Sequence, residues 1–207
     1  MENLFMYSSV FSALIPIIIG FKKLKEQTRI GCLILVLVLI SLGSDMLSYI
    51  SAVIFHNNYW VLHIYHILEI MILSLFYFYF LRSKTHLYFW MIFLCIYLFD
   101  VIFVSNIIEM NSVLIAVESL LFILYGVLGY FRLFKEEVHL FLDKSPEFWF
   151  NTAIITYFSG ALFSWSMFHY LHQPDGSGAG TWAFHNIANI LKNILFAIGL
   201  WKARAVA

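Results

Sequence analysis

The sequence predicts an all-α integral membrane protein: one seven-transmembrane-helix bundle over residues 1–207, with the N-terminus outside and the C-terminus in the cytoplasm. Three observations carry this expectation. The 207-residue chain is 62% hydrophobic and 12% charged, about half the charge of a soluble domain. It divides into seven apolar stretches, at about residues 4–21, 30–55, 59–81, 87–104, 113–134, 148–171 and 182–201, each near the ~20 residues that cross a bilayer. Basic charge also alternates between connectors. Those after spans one, three and five, with the tail, hold Lys22, Lys23, Lys25, Arg29, Arg82, Lys84, Arg132, Lys135, Lys144, Lys202 and Arg204, and the other connectors hold no Lys or Arg. The positive-inside rule places the basic side in the cytoplasm, and only an odd number of spans keeps the alternation consistent. The expected location is the cell (inner) membrane, multi-pass.

Taken in order, span one lacks a positive n-region at Met1-Glu2-Asn3 and a cleavage site before Lys22, so it reads as a retained span. Pro16 frees a backbone carbonyl there and favours a kink, and Ser8, Ser9 and Ser12 serve helix packing. Span two carries a stripe at helical spacing, Ser41, Ser44, Asp45, Ser48 and Ser51. Span three steps His63, His66 and Glu69 down one broad face. Span four has Asp100 toward its outer end, and span five has Glu118 about a third of the way in. The connector from Arg132 to Glu147 mixes apolar and charged residues, which suits a short interfacial helix. Ser145-Pro146-Glu147 supplies an N-cap, an N1 proline and an early acid for span six. That span holds Asn151 and Thr152 near its inner end, Tyr157, Ser159 and Gly160 around its middle, and Ser164, Ser166 and His169 toward the outside. The outer loop from His172 to Gly180 is rich in glycine and reads as an ordinary loop.

Span seven holds the chain's oddity. Lys192 is the one basic residue not assigned to a connector or the tail, and it lies mid-span on a stripe with His185, Asn186, Asn189 and Asn193. A mid-membrane lysine costs roughly 2.5 to 3.5 kcal/mol on insertion scales, so it is expected to face protein and to have a partner. Depth makes Glu69 the first choice of partner, Asp45 the second and Glu118 the third. Four acids (Asp45, Glu69, Asp100 and Glu118) stand at membrane depth against one lysine. They cannot all be ionised cheaply, so some carry a proton, pair with His63, His66 or His185, or bind a cation. A purely structural hydrogen-bonded network needs fewer costly groups than these. The groups cluster centrally and toward the outside, which suggests a pocket open outward, with Asp45, His63, His66, Glu69, Glu118, His185, Asn189 and Lys192 as its ligand-binding residues.

Composition and motifs exclude several classes. Cys32 and Cys95 have no ligand-like spacing, which argues against a disulfide framework or a cysteine zinc site. No glycine-rich phosphate loop, GxSxG elbow, HExxH or nucleic-acid signature occurs, so no nucleic acid is expected as a partner. The first functional reading is a small receptor, sensor or carrier for a polar ligand or ion entering from the outer side, where Lys192 and the histidines would suit a carboxylate. A sensor would need a separate signalling partner at the cytoplasmic face.

The second reading is a metal-dependent membrane hydrolase with His63, His66, Glu69 and His185 as candidate ligands and Asp45 beside them. His63-x-x-His66-x-x-Glu69 and the last helix are similar to the seven-helix zinc hydrolases of the alkaline ceramidase and adiponectin-receptor type, whose last helix carries His-x-x-x-His. This chain has His185-x-x-x-Asn189 instead, which removes half of that implied pair. A third reading comes from the mid-span Lys192 and the seven spans, which resemble the microbial rhodopsins. That resemblance implies retinal on Lys192 as a Schiff base with Glu69 as counter-ion. The chain departs from it at Ala188, where an Asp is usual, and lacks the Trp-x-x-Tyr-Pro pattern in span six. Haem held by His63 or His66 with His169 or His185 is the remaining cofactor option. Among metal ion, haem and retinal the sequence favours none.

Overall fold

The computed structural model describes residues 2–104, 112–135, 142–167 and 179–203, excluding the side chains of residues 2–4, 85, 104 and 179–182. His169, residues 172–178 of the expected outer loop, residues 136–141 of the expected interfacial helix, and Arg204 lie outside the described residues. Every regular element among the described residues is helical: α1 (Glu2–Ser12), α2 (Leu14–Lys22), α3 (Arg29–Phe55), α4 (Tyr59–Leu81), α5 (Lys84–Phe99), α6 (Ser112–Lys135), α7 (Pro146–Ser166) and α8 (Ala179–Lys202). Short 3-10 turns stand at Leu24–Glu26 and Leu142–Lys144, and a π-helical turn at Asp100–Val104 continues α5.

Local chemistry explains several boundaries. Span one is broken at Ala13, whose N–H donates to the Val10 carbonyl at 3.2 Å, an i to i−3 bond. Pro16 is the cause: it cannot donate to the Ser12 carbonyl four residues back, and its ring crowds that oxygen. Thr28 Oγ1 accepts the Gly31 N–H at 3.1 Å and caps the start of α3. The α3–α4 turn is tied by the serine stripe: Ser51 Oγ donates to the Asn57 carbonyl at 2.7 Å and accepts from Trp60 Nε1 at 2.7 Å, and Asn58 Nδ2 donates to Ser48 Oγ at 2.6 Å. α4 closes on Arg82 in the left-handed region at φ 52°.

One expected cap is corrected. α7 does begin at Pro146, but Ser145 makes no side-chain bond to the helix backbone. Its hydroxyl donates to Glu147 Oε2 at 2.8 Å, a charge-assisted bond between side chains.

Two compact units result, residues 1–31 with 112–207, and residues 32–111. In the first, α8 packs along α7 and also against α1 and α2, while α7 packs on α6. Small residues let α7 and α8 approach closely. A Cβ added at Gly160 would collide with Ala188 Cβ, and one at Gly199 with the Phe150 ring. Phe122 and Phe158 stack at 4.6 Å between centroids where α6 meets α7, and Asn151 Nδ2 donates to the Gly126 carbonyl there at 2.8 Å. In the second unit α4 packs against α5, with Phe76, Tyr77, Phe80, Trp90 and Tyr97 among its buried aromatic residues.

Six helical segments among the described residues are long and apolar enough to cross a membrane: Phe5–Lys22, Arg29–Phe55, Tyr59–Leu81, His86–Phe103, Ser112–Lys135 and Ala183–Lys202. Their outward faces stay apolar, with Ile18, Val36, Ile92, Leu120 and Leu124 all exposed. Such continuous apolar surface suits lipid as solvent and would be an aggregation liability in water. These are the features of a membrane protein. α7 falls outside the six because Asn151, Thr152, Thr156, Ser159 and Ser164 dilute its apolar content.

Candidate functional site

In the first unit the polar stripe of α8 divides between two neighbours. Asn189 Nδ2 donates to Ser9 Oγ and Asn193 Nδ2 donates to Ser12 Oγ, both at 2.8 Å. Ser12 passes its own proton to the Ser9 carbonyl at 2.6 Å, so a short ladder binds α8 to α1. His185 and Lys192 instead face α7. The Lys192 Nζ lies 4.0 Å from the centroid of the Tyr157 ring, and the His185 ring packs edge-on against the same ring at 5.5 Å. Lys192 is 4% exposed and Asn193 2%, so this cation is enclosed by protein rather than displayed to solvent. Its contact with the ring face is a cation–π interaction, worth about 2 kcal/mol when desolvated. That magnitude is comparable with the insertion cost of the lysine, so Tyr157 contributes substantially to its accommodation.

In the second unit α4 and α5 bring together polar side chains of their own. Tyr65 hydroxyl donates to Glu69 Oε1 at 2.7 Å, one helical turn away. His66 Nδ1 stands 3.6 Å from Glu69 Oε2, a contact longer than a hydrogen bond. His63 Nδ1 and the Tyr97 hydroxyl are 3.1 Å apart, and the Tyr97 ring also packs against His66 at 6.3 Å. His63, His66, Glu69 and Tyr97 are all buried. The i, i+3, i+6 spacing of the sequence thus becomes one buried run along α4, braced by a tyrosine from α5.

The remaining candidates are placed as follows. Glu118 is fully buried on α6 in the first unit, and Asp45 is half-buried on α3 in the second. Asp100 is half-buried in the π turn after α5. Glu69 and Lys192, expected to pair, belong to different units. Cys32 and Cys95 are exposed and unbridged. Three residues of these clusters were absent from the sequence-based candidate set: Tyr157, Tyr65 and Tyr97. A signal existed for Tyr65, which precedes Glu69 by four residues. None existed for Tyr97, since nothing in the α5 sequence distinguishes it from its apolar neighbours.

Chemically, the α7–α8 cluster sets an ammonium group and an imidazole against one aromatic ring. The α4–α5 cluster can hold or exchange a proton or share a cation, with His66 and Glu69 as the residues able to contribute to a metal. Comparison with known protein families, curated proteins and solved structures finds no match for this chain.

Proposed function

We propose that the chain is a seven-span protein of the cell's inner membrane, N-terminus outside, that binds a small carboxylate-bearing ligand at Lys192, Tyr157 and His185. It acts as a receptor, sensor or carrier. The observation that carries this reading is the Lys192 ammonium held 4.0 Å over Tyr157 with His185 on the same ring. A cation, an aromatic face and an imidazole gathered on one ring suit a carboxylate better than a neutral or cationic ligand. The division of the α8 stripe supports it as well: Asn189 and Asn193 bond to α1, while His185 and Lys192 meet the Tyr157 ring of α7.

α7 counts as the seventh span because its 21 residues extend about 31 Å at 1.5 Å per residue and its polar side chains are satisfied locally. Thr152, Thr156 and Ser164 donate to the Phe148, Thr152 and Gly160 carbonyls at 2.6, 2.8 and 3.0 Å, and Asn151 bonds to Gly126. Hydroxyls folded back in this way are compatible with an apolar surround. As a sensor it would act through a cytoplasmic partner protein.

The test is thermal unfolding of the purified protein in micelles with acetate, succinate or benzoate. A ligand at a hundred times its Kd stabilises by about 2.7 kcal/mol. Stabilisation by at least one of these anions that disappears in Lys192→Met supports the reading. Equal behaviour of wild type and variant with every anion would sink it.

A metal-dependent hydrolase is the second reading, favoured by the 3.6 Å approach of His66 to Glu69. Elemental analysis finding stoichiometric zinc, iron or manganese that is lost in His66→Ala would put it first. A visible absorption band in the same preparation would point to haem, and one that appears on adding retinal would point to the Lys192 Schiff base.

A further inference from the structure

Unit one carries a second surface, remote in sequence from Tyr157, where the end of α2, the start of α3 and the end of α8 meet. Lys23 Nζ donates to the Trp201 carbonyl at 2.9 Å and lies 4.6 Å from the centroid of the Trp201 ring. Gln27 Nε2 donates to the Leu200 carbonyl at 3.0 Å. Two of the orphan carbonyls that end α8 are therefore satisfied by side chains from another segment, and a cation sits at the negative end of its dipole. Lys202 repeats the arrangement, donating to the Asp143 carbonyl at 2.6 Å and lying 5.4 Å from the Trp149 ring.

These bonds also settle the charge balance. The two acids of the surface are engaged, Glu26 with Lys23 at 3.5 Å and Asp143 with Lys202 at 3.6 Å. That leaves Lys22, Lys25 and Arg29, all exposed, with no acidic partner among the described residues. They stand within eight residues on a connector that the Lys23 and Gln27 bonds hold against α8. Arg29 opens α3, where the helix dipole repels a cation rather than offsetting it. The Trp201 indole, against Lys23 of the same connector, is 60% exposed, and tryptophan favours the headgroup layer of a bilayer.

We propose that Lys22, Lys25 and Arg29, with the exposed Trp201 indole, form a binding site for the headgroup of an anionic phospholipid. The three unbalanced cations supply the attraction for the phosphate. The tied connector holds them in place before binding, which removes most of the ordering cost. Trp201 sets the depth, so that the occupant is a membrane lipid rather than a soluble phosphate. The site shares only the membrane setting with the proposed carboxylate site, and neither depends on the other.

The test is native mass spectrometry of the whole protein with phosphatidylglycerol and phosphatidylcholine at equal mole fraction. Each basic residue near an anionic headgroup is worth about fivefold in binding. Wild type should retain phosphatidylglycerol preferentially, and Lys22→Ser/Lys25→Ser/Arg29→Ser should lose the preference by on the order of a hundredfold. Arg82→Ser/Lys84→Ser, which removes charge from a different connector, should keep it. The proposal is overturned if the triple variant keeps its preference, if both variants lose it equally, or if glycerol phosphate displaces lipid as well as phosphatidylglycerol does. Salt gives a check on wild type alone, since at 1 M the Debye length falls to about 3 Å. Preference persisting unchanged there overturns the proposal too.

Discussion

The Lys192 ammonium stands 4.0 Å from the centroid of the Tyr157 ring, so the mid-span cation of α8 is met by an aromatic face of α7. The contact is with the face of the ring. Tyr157→Phe keeps the ring face and should lose less stability than Tyr157→Leu, which should lower it by about 1 to 2 kcal/mol. Unfolding by SDS titration in mixed micelles measures both. Equal losses in the two variants would show that the contact does not act through the ring.

The two asparagine–serine bonds between α8 and α1 are short, at 2.8 Å each. Interhelical hydrogen bonds in membranes average about 0.6 kcal/mol and reach about 1.7. A double-mutant cycle with Asn193→Ala and Ser12→Ala should give a coupling in that range, toward its upper end because both residues are buried. A cycle with Asn189→Ala and Ser9→Ala should give less, since Asn189 is only half-buried.

Gly160 leaves no room for a methyl group against Ala188. Gly160→Ala should destabilise by about 1 to 3 kcal/mol through overpacking, and the added Ala188→Gly should restore much of the loss. The same unfolding assay reads the pair. At Gly199 the obstructing atoms belong to the Phe150 ring, which is fully buried and packed against Phe196, so Gly199→Ala should be similarly costly and Phe150→Leu should relieve it.

Orientation is open to a direct check. A reporter active only in the cytoplasm should be active when fused after Lys202 and inactive when inserted at Asn57. The reverse pattern would invert the topology while leaving the helix packing as described.

What the sequence by itself determined was the position of the helices along the chain. Runs such as residues 30–55 and 59–81 returned as α3 and α4 with nearly the same ends, because helix length follows directly from hydropathy and bilayer thickness. The Pro16 break and the Pro146 start were also legible, since proline acts through its own missing N–H. Only the tertiary structure decided which way each helix turns. The α8 stripe reads as one polar face, yet Asn189 and Asn193 serve α1 while His185 and Lys192 meet α7. Tyr157 could not be told from other rings in a chain that is 19% aromatic. The physical reason is that lipid and helix interior are both apolar, so hydropathy measures how deep a residue lies and carries little information about the neighbour it faces.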